Sequence, residues 1–350
     1  MYLLPAEWYE QDGIMLAWPH QNTQWLGMLD EIEPIYLNLC QEITKRQKLL
    51  LVVSNEELKS RIVNLLFSRN IDLGRVQFVI AVNNDIWVRD YGPITLINEK
   101  GELKILDFVF NGWGNKYEST RYQSFLDDQI NRRIISECTN KEVKTESIAF
   151  VLEGGAIDSD GRGTLLTTKS CLFNPNRNPK FDQTQIREFI KEKLGITTIF
   201  CLENGYLEGD DTDGHIDTLV RFAPNNTLVY ITCDNEADSH YHNLKQLEAE
   251  LKALPTPDGQ AYHLIGLPWP QPKYNQEGDR LPASYANYLI INGAVLVPMY
   301  RDKADEKALM QIQKAYQDHE VIGIDCLPLI REFGSLHCMS MQLPKGFLKL

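Results

Sequence analysis

The sequence is short of the signatures that announce the commoner catalytic sites. There is no GK[ST] run, so a phosphate-cradling P-loop is excluded; no GxSxG frames a hydrolase serine; no HExxH or HxxxH spacing offers a helical zinc site. Cysteine is scattered: seven residues, at 40, 138, 171, 201, 233, 326 and 338, never in a CxxC pair. An odd, dispersed set argues against a disulfide framework and a zinc knuckle, and is read as reduced thiols in a cytoplasmic protein. Long apolar runs are missing too. The longest, 288–300, is broken by Asn292, Gly293 and Pro298 and is too short to span a bilayer. The opening MYLLPAEWYEQDG has no basic start and carries Glu7, Glu10 and Asp12, unlike a secretory leader. Positive charge is in deficit, 35 Lys and Arg against 48 Asp and Glu for a net charge of -13. Such a surface repels nucleic acid and anionic membrane and favours a neutral or cationic partner.

What is present is an ordinary globular balance, 43% hydrophobic and 24% charged, over 350 residues. That is ample chain for a core. No Ser/Gly linker or low-complexity run divides it, so one domain over 1–350 is expected. Short β-branched runs alternate with amphipathic segments. KLLLVVS (48–54), VQFVIAV (76–82), IAFVLEG (148–154), DTLVRFA (217–223), NTLVYITC (226–233), NYLIINGAVLVP (287–298) and SLHCMSMQL (335–343) read as strands. Helices are expected from SNEELKSRIVNLLFSRN, DQTQIREFIKEKLG, NEADSHYHNLKQLEAELKAL and KADEKALMQIQKAYQDHE. Ser54 with Glu57 and Asp182 with Gln185 have capping-box spacing, and Gly195 follows as a stop. The chain is mixed α/β.

Potent residue types recur where such strands meet Gly-marked turns. Asp90, Glu153, His215, Asn287 and Cys338 follow one another at intervals of roughly fifty to seventy residues, which suggests five repeated units around a shared centre. EGGAIDSDGRGT (153–164) is not a calcium loop, because Lys169 stands where the bidentate Glu is required; SDGRG instead turns a hairpin between AID and TLLTT. Glu153 precedes two glycines that allow close approach of backbone or ligand, although an ordinary strand-end Glu fits as well. EGDDTDGHIDT (208–218) reads as a solvated acidic loop up to Asp213. If HIDTLVRF is a strand, His215 and Asp217 share one face. HYH (240–242) lies on a helix, where i and i+2 diverge, and is set aside. By the same strand rule His337, next to Cys338, is expected to be a bystander. Taken alone, Cys338 is as well explained as a small buried hydrophobe.

Three carboxylates, a histidine and a cysteine are together the types that suit a guanidinium. That group pairs bidentately with carboxylates, and its poorly electrophilic carbon calls for a nucleophile stronger than water, such as a thiolate.

The succession WVRDYGP, LEGGAIDSDGRGTLLTT, CLFNPNRNP, GDDTDGHID, GDRLPASYANY…NGAVLVP and GSLHCMSMQ resembles the agmatine deiminase / bacterial peptidyl-arginine deiminase family, from LAWPH at 16–20 to Gln342. The resemblance implies a pentein fold: a five-bladed α/β propeller with pseudo-fivefold repeats around a central active site. It implies no cofactor and no metal, a small cationic guanidine as substrate, no nucleic-acid or membrane partner, and a homodimer. Residue by residue it makes Cys338 the nucleophile and His215 the general acid/base. Asp90 and Asp217 become the guanidinium carboxylates and Glu153 the acid that pairs with the site histidine. Trp87 aligns with a pocket aromatic, Asp211 with a carboxylate for the distal amine, and Asn287 with a fifth-unit contact. Ser335 and Asp213 stand where the family usually has Asn. The implied reaction is deimination of agmatine to N-carbamoylputrescine and ammonia through an amidino-cysteine. Deimination of free or peptidyl arginine, and a non-catalytic cation-binding pentein, are the alternatives.

Overall fold

The computed structural model describes residues 1–116 and 124–349. It resolves into two compact units. One comprises Met1–Tyr2, Tyr9–Gly154 and the chain from Cys338 on; the other comprises Leu3–Trp8 and Gly155–His337. Among the described residues no helix is long and apolar enough to cross a membrane.

Among the described residues one pattern builds four of the five sheets: a short antiparallel pair, then a helical crossover that returns a third strand parallel to the second. In the first unit Ile94–Ile97 pairs antiparallel with Leu103–Val109, which pairs parallel with Lys144–Val151. The other sheet there has four strands, with Gln11–Ala17 between Met341–Pro344 (antiparallel) and Lys48–Val53 (parallel), and Val76–Ile80 at the far side. The run KLLLVV is nearly all apolar because its strand is central and covered on both faces. Met15, Leu50, Val88, Phe110, Ile134 and Met341 meet in this unit's core.

The second unit holds three sheets. Asp158–Ser159, Thr164–Thr168 and Thr198–Leu202 form the first. Val220–Ala223, Thr227–Ile231 and His263–Leu267 form the second, and Leu289–Ile291, Ala294–Met299 and Glu320–Asp325 the third. The hairpin expected at SDGRG is present, with Asp158 opposite Leu166. Gly161 sits at φ 69° with its Cα against Ala6, where a Cβ would fall 2.6 Å from the Ala6 nitrogen. NYLIINGAVLVP is two strands, folded at Asn292-Gly293.

The capping box at Asp182 and Gln185 is formed, and Gly195 ends that helix in the left-handed region. Ser54 is not the cap of its helix. Asn55, with extended backbone, accepts from the Leu58 amide at 2.8 Å, so the helix begins one residue later.

Two of the expected strands fail where function was sought. HIDTLVRF is not one strand: Ile216–Thr218 make a 3-10 turn and the strand begins at Val220. The Thr218 hydroxyl bonds back to the His215 carbonyl at 2.9 Å, closing the turn locally. The face-sharing of His215 and Asp217 expected from strand alternation therefore does not apply. Likewise SLHCMSMQL is strand only from Met341; residues 336–339 turn. The His337 amide is held by the Asn287 side-chain oxygen at 3.0 Å and is withdrawn from any sheet ladder.

Candidate active site

In the first unit the segment Trp87–Tyr91 presents two of the expected residues. Trp87 precedes the four-residue helix Val88–Tyr91 and is buried edge-on against Trp25, ring centres 5.7 Å apart. Asp90 is buried on that helix, and its Oδ2 accepts the indole N–H of Trp113 at 2.9 Å. Trp113 has φ 52° and ψ 45°, a left-handed conformation that a bulky side chain rarely adopts. The strain buys an aim: the NGWGN turn points the indole at Asp90.

Arg89 ties this helix to the cysteine. Its amide donates to the Cys338 carbonyl at 3.1 Å, and its buried guanidinium donates to the Gln342 side chain at 2.5 Å. Cys338 is 7% exposed, buried yet not sealed. Burial pushes the Cys138 thiol of this unit up to about 11, as expected of a thiol kept neutral. Glu153 lies fully buried two residues beyond the strand Lys144–Val151. The following Gly154 is obligatory, since a Cβ there would stand 2.3 Å from the Arg89 carbonyl.

In the second unit the acidic loop is organised by its own side chains. Asp210 accepts from the Thr212 hydroxyl at 2.5 Å and the Gly214 amide at 2.7 Å. Asp213, at φ 71°, pairs with the buried Arg177 at 2.6 Å, and Arg177 also donates to the Thr212 carbonyl. Asp211 is half-buried on this loop. His215 follows, fully buried, with Cys171 Sγ within 4.8 Å of one of its ring nitrogens. Asp217 and Asn287 are buried as well.

Asp217 heads a chain of buried ionisable groups. Its Oδ2 lies 2.7 Å from His337 Nδ1, and His337 Nε2 lies 2.7 Å from Glu7 Oε2. Arg221 donates to that same Glu7 oxygen, and through Nε to Asp158 at 2.8 Å. Burial pushes the Asp217 carboxyl up, but the hydrogen bond and charge of His337, with His215 and Arg221 behind, hold it below its usual value. Burial outweighs Arg221 at the other end, where Asp158 is pushed up to about 6. His337 is thus no bystander. The strand alternation that set it aside does not exist at that position.

Each unit therefore assembles its own subset. Asp90, Trp87 and Cys338 are linked through one short helix, while Asp217, Asn287 and His337 are linked by direct hydrogen bonds. His337, Glu7, Arg221, Arg89 and Trp113 were not found from sequence. Arg221 did leave a signal: an arginine inside the apolar run LVRFA must be neutralised if that strand is buried.

Comparison with known proteins gives a consistent picture. The model of the Porphyromonas-type peptidyl-arginine deiminase family matches residues 3–344. A crystal structure from Porphyromonas gingivalis, provisionally named an arginine deiminase, is 44% identical with a TM-score of 0.92 over 100% of both chains. A Cys-to-Ser variant of the agmatine deiminase of C. jejuni, with substrate bound, is 39% identical with a TM-score of 0.88, over 99% of this chain and 97% of that one. The agmatine deiminase of Pseudomonas syringae pv. tomato is 30% identical over 98% of this chain and 96% of its own.

Proposed function

The chain belongs to the Porphyromonas-type peptidyl-arginine deiminase family, and from that membership we propose that it deiminates agmatine to N-carbamoylputrescine and ammonia. The observation that carries the reading is the likeness, over 99% of the chain, to an agmatine deiminase with its substrate bound. The buried, ionised Asp217 supports it, as a carboxylate suited to a planar cation. The reading takes 1–350 as one catalytic domain and a homodimer as its assembly. It takes the five sheets as the blades of a pentein propeller, for which the build repeated in four of them speaks.

Roles follow the family motifs. Asp90 and Asp217 grip the guanidinium, Trp87 and Asn287 border it, and Asp211 meets the distal amine. The Cys338 thiolate forms a bond to the guanidino carbon. The bond from that carbon to a terminal nitrogen then breaks, and the nitrogen takes a proton from His215 and leaves as ammonia. Water gives a proton to His215, with Glu153 as the acid paired to that histidine, and adds to the carbon. The C–S bond breaks, the thiolate returns, the proton left on the added oxygen passes to solvent, and a ureido group remains.

A second reading, free or peptidyl arginine as substrate, is favoured by the 44% likeness to the P. gingivalis chain. Ammonia release from agmatine, arginine and a blocked arginine peptide separates the two. Agmatine is expected to be preferred by at least about tenfold in kcat/KM; a preference for arginine of either kind would replace the first reading with the second. Cys338→Ala is expected to lose at least about 10⁴-fold in kcat. Retained turnover would end the cysteine mechanism.

A further inference from the structure

His337 immediately precedes the nucleophile in sequence, yet its side chain engages an entirely separate set of groups. Both ring nitrogens meet carboxylate oxygens at 2.7 Å, Nδ1 at Asp217 and Nε2 at Glu7. Glu7 already takes donors on both oxygens, the Arg221 guanidinium on Oε2 and the Ile290 amide on Oε1 at 3.3 Å. A carboxylate so occupied is ionised and acts only as an acceptor, so Nε2 must donate. At Nδ1 the second proton belongs either to the ring or to Asp217.

We infer that His337 is a positioning residue of the guanidinium site: an imidazolium clamped between Glu7 and Asp217 that fixes the Asp217 carboxylate in place and in its charged form. This rests on the deiminase reading above for what Asp217 does, but not for the clamp itself. The ionised state of Asp217, fully buried, is held by His337 ahead of His215 and Arg221. The groups facing the pair are Glu7 from the N-terminal segment, Asp158 and Arg221 from neighbouring strands, His215 from the preceding loop, and the Tyr288 and Tyr316 hydroxyls beside Arg221. From Asp158 through Arg221, Glu7 and His337 to Asp217 the charges alternate, which leaves one net negative charge for the five groups. A cationic substrate supplies its complement.

The clamp makes a distinct demand of His337. Gln at 337 can still donate one hydrogen bond to Asp217 but brings no charge, so the Asp217 carboxyl rises and the anionic form is lost at higher pH. In the full-length protein, Nitrogen-15 NMR of labelled histidine, with the His337 signals assigned by their absence in His337→Gln, is expected to find protons on both ring nitrogens at about pH 8. A ring with one bare nitrogen overturns the inference. In kinetics with agmatine, His337→Gln is expected to raise KM at least tenfold with a smaller fall in kcat, and to move the acid limb of kcat/KM to higher pH. A folded variant with unchanged KM and acid limb overturns it as well. If that variant does not fold, Glu7→Gln keeps the shape of the clamp while removing one charge. It is expected to let His337 lose a ring proton near neutral pH, and a ring that keeps both is the contrary result. The two readings fail separately. A chain that turns over no guanidine ends the functional proposal while the ring protons still decide this one; agmatine turnover with a singly protonated His337 ends only the clamp.

Discussion

The proposed function gives Asp90 and Asp217 the same task, gripping a guanidinium, and both are buried, yet they are held by different physics. Asp90 receives a neutral donor, the indole of Trp113, aimed by a strained turn. Asp217 receives His337, which on the inference above is an ionic partner, backed by Glu7, Arg221 and Asp158. A neutral donor fixes direction and adds little to the charge balance. An ionic partner fixes direction and also repays desolvation of the anion, at the cost of burying further charges that must themselves be paired. The lesson is one of dependence. The Asp90–Trp113 contact is a single bond to a neutral group, whereas a change at Asp217 runs through five groups.

The largest effects test that dependence directly. Asp217→Asn and Asp90→Asn are each expected to lower kcat/KM for agmatine by at least about 10³-fold, since each removes one charge-assisted contact in a buried site. Their stabilities should differ. Asp217→Asn leaves His337 facing an amide and is expected to cost about 3–5 kcal/mol by chemical denaturation at neutral pH. Asp90→Asn keeps an oxygen to accept from the neutral indole and loses only the charge on that bond, and is expected to cost about 1–2 kcal/mol. Equal losses would erase the contrast. The pH dependence adds a sign. Asp217 has a folded value below its unfolded one, so its contribution is present above an unfolded value of about 4 and lost as pH falls through the lower folded value. Asp217→Asn should therefore remove part of the acid destabilisation of the parent.

A smaller effect is expected where the partner is neutral. Trp113→Phe keeps the ring against Phe110, whose centre lies 5.1 Å away, and deletes only the N–H. About tenfold in kcat/KM is expected, the worth of one hydrogen bond to a charged group, with a stability loss of about 1–2 kcal/mol because the buried Asp90 oxygen loses this donor. No kinetic loss would mean that the indole does not position Asp90.

The difference between the two regions also explains what could be read from sequence. Asp90, Glu153, His215 and Cys338 could be picked out as candidates because reactive types at Gly-marked turns are a local signal, and the capping box at Asp182 is local in the same way. The clamp was not, because its members come from the N-terminal segment, two strands, a turn and the approach to the nucleophile. Local periodicity even misled: it made 335–343 a strand and turned His337 away. The hydrogen bond from the His337 amide to the Asn287 side chain, fifty residues distant in sequence, sets the local geometry there. Trp113 escaped for a related reason, since nothing in NGWGN announces that the tryptophan itself takes a positive φ.

The smallest effects come from the two helix caps, one in each unit, which serve to separate folding losses from site losses. Asn55 accepts from the Leu58 amide at 2.8 Å, and Asp182 accepts from the Gln185 amide at 2.8 Å. Either substitution by Ala is expected to cost about 1 kcal/mol. Asp182→Ala should be the milder, because the Gln185 side chain still accepts from the residue 182 amide at 2.9 Å and keeps half of the box. Both variants should retain the parent kcat and KM for agmatine. A raised KM in either would mean that a loss of about 1 kcal/mol in stability is felt at the site. The kinetic losses at Asp90, Trp113 and Asp217 would then have to be corrected for folding before being compared.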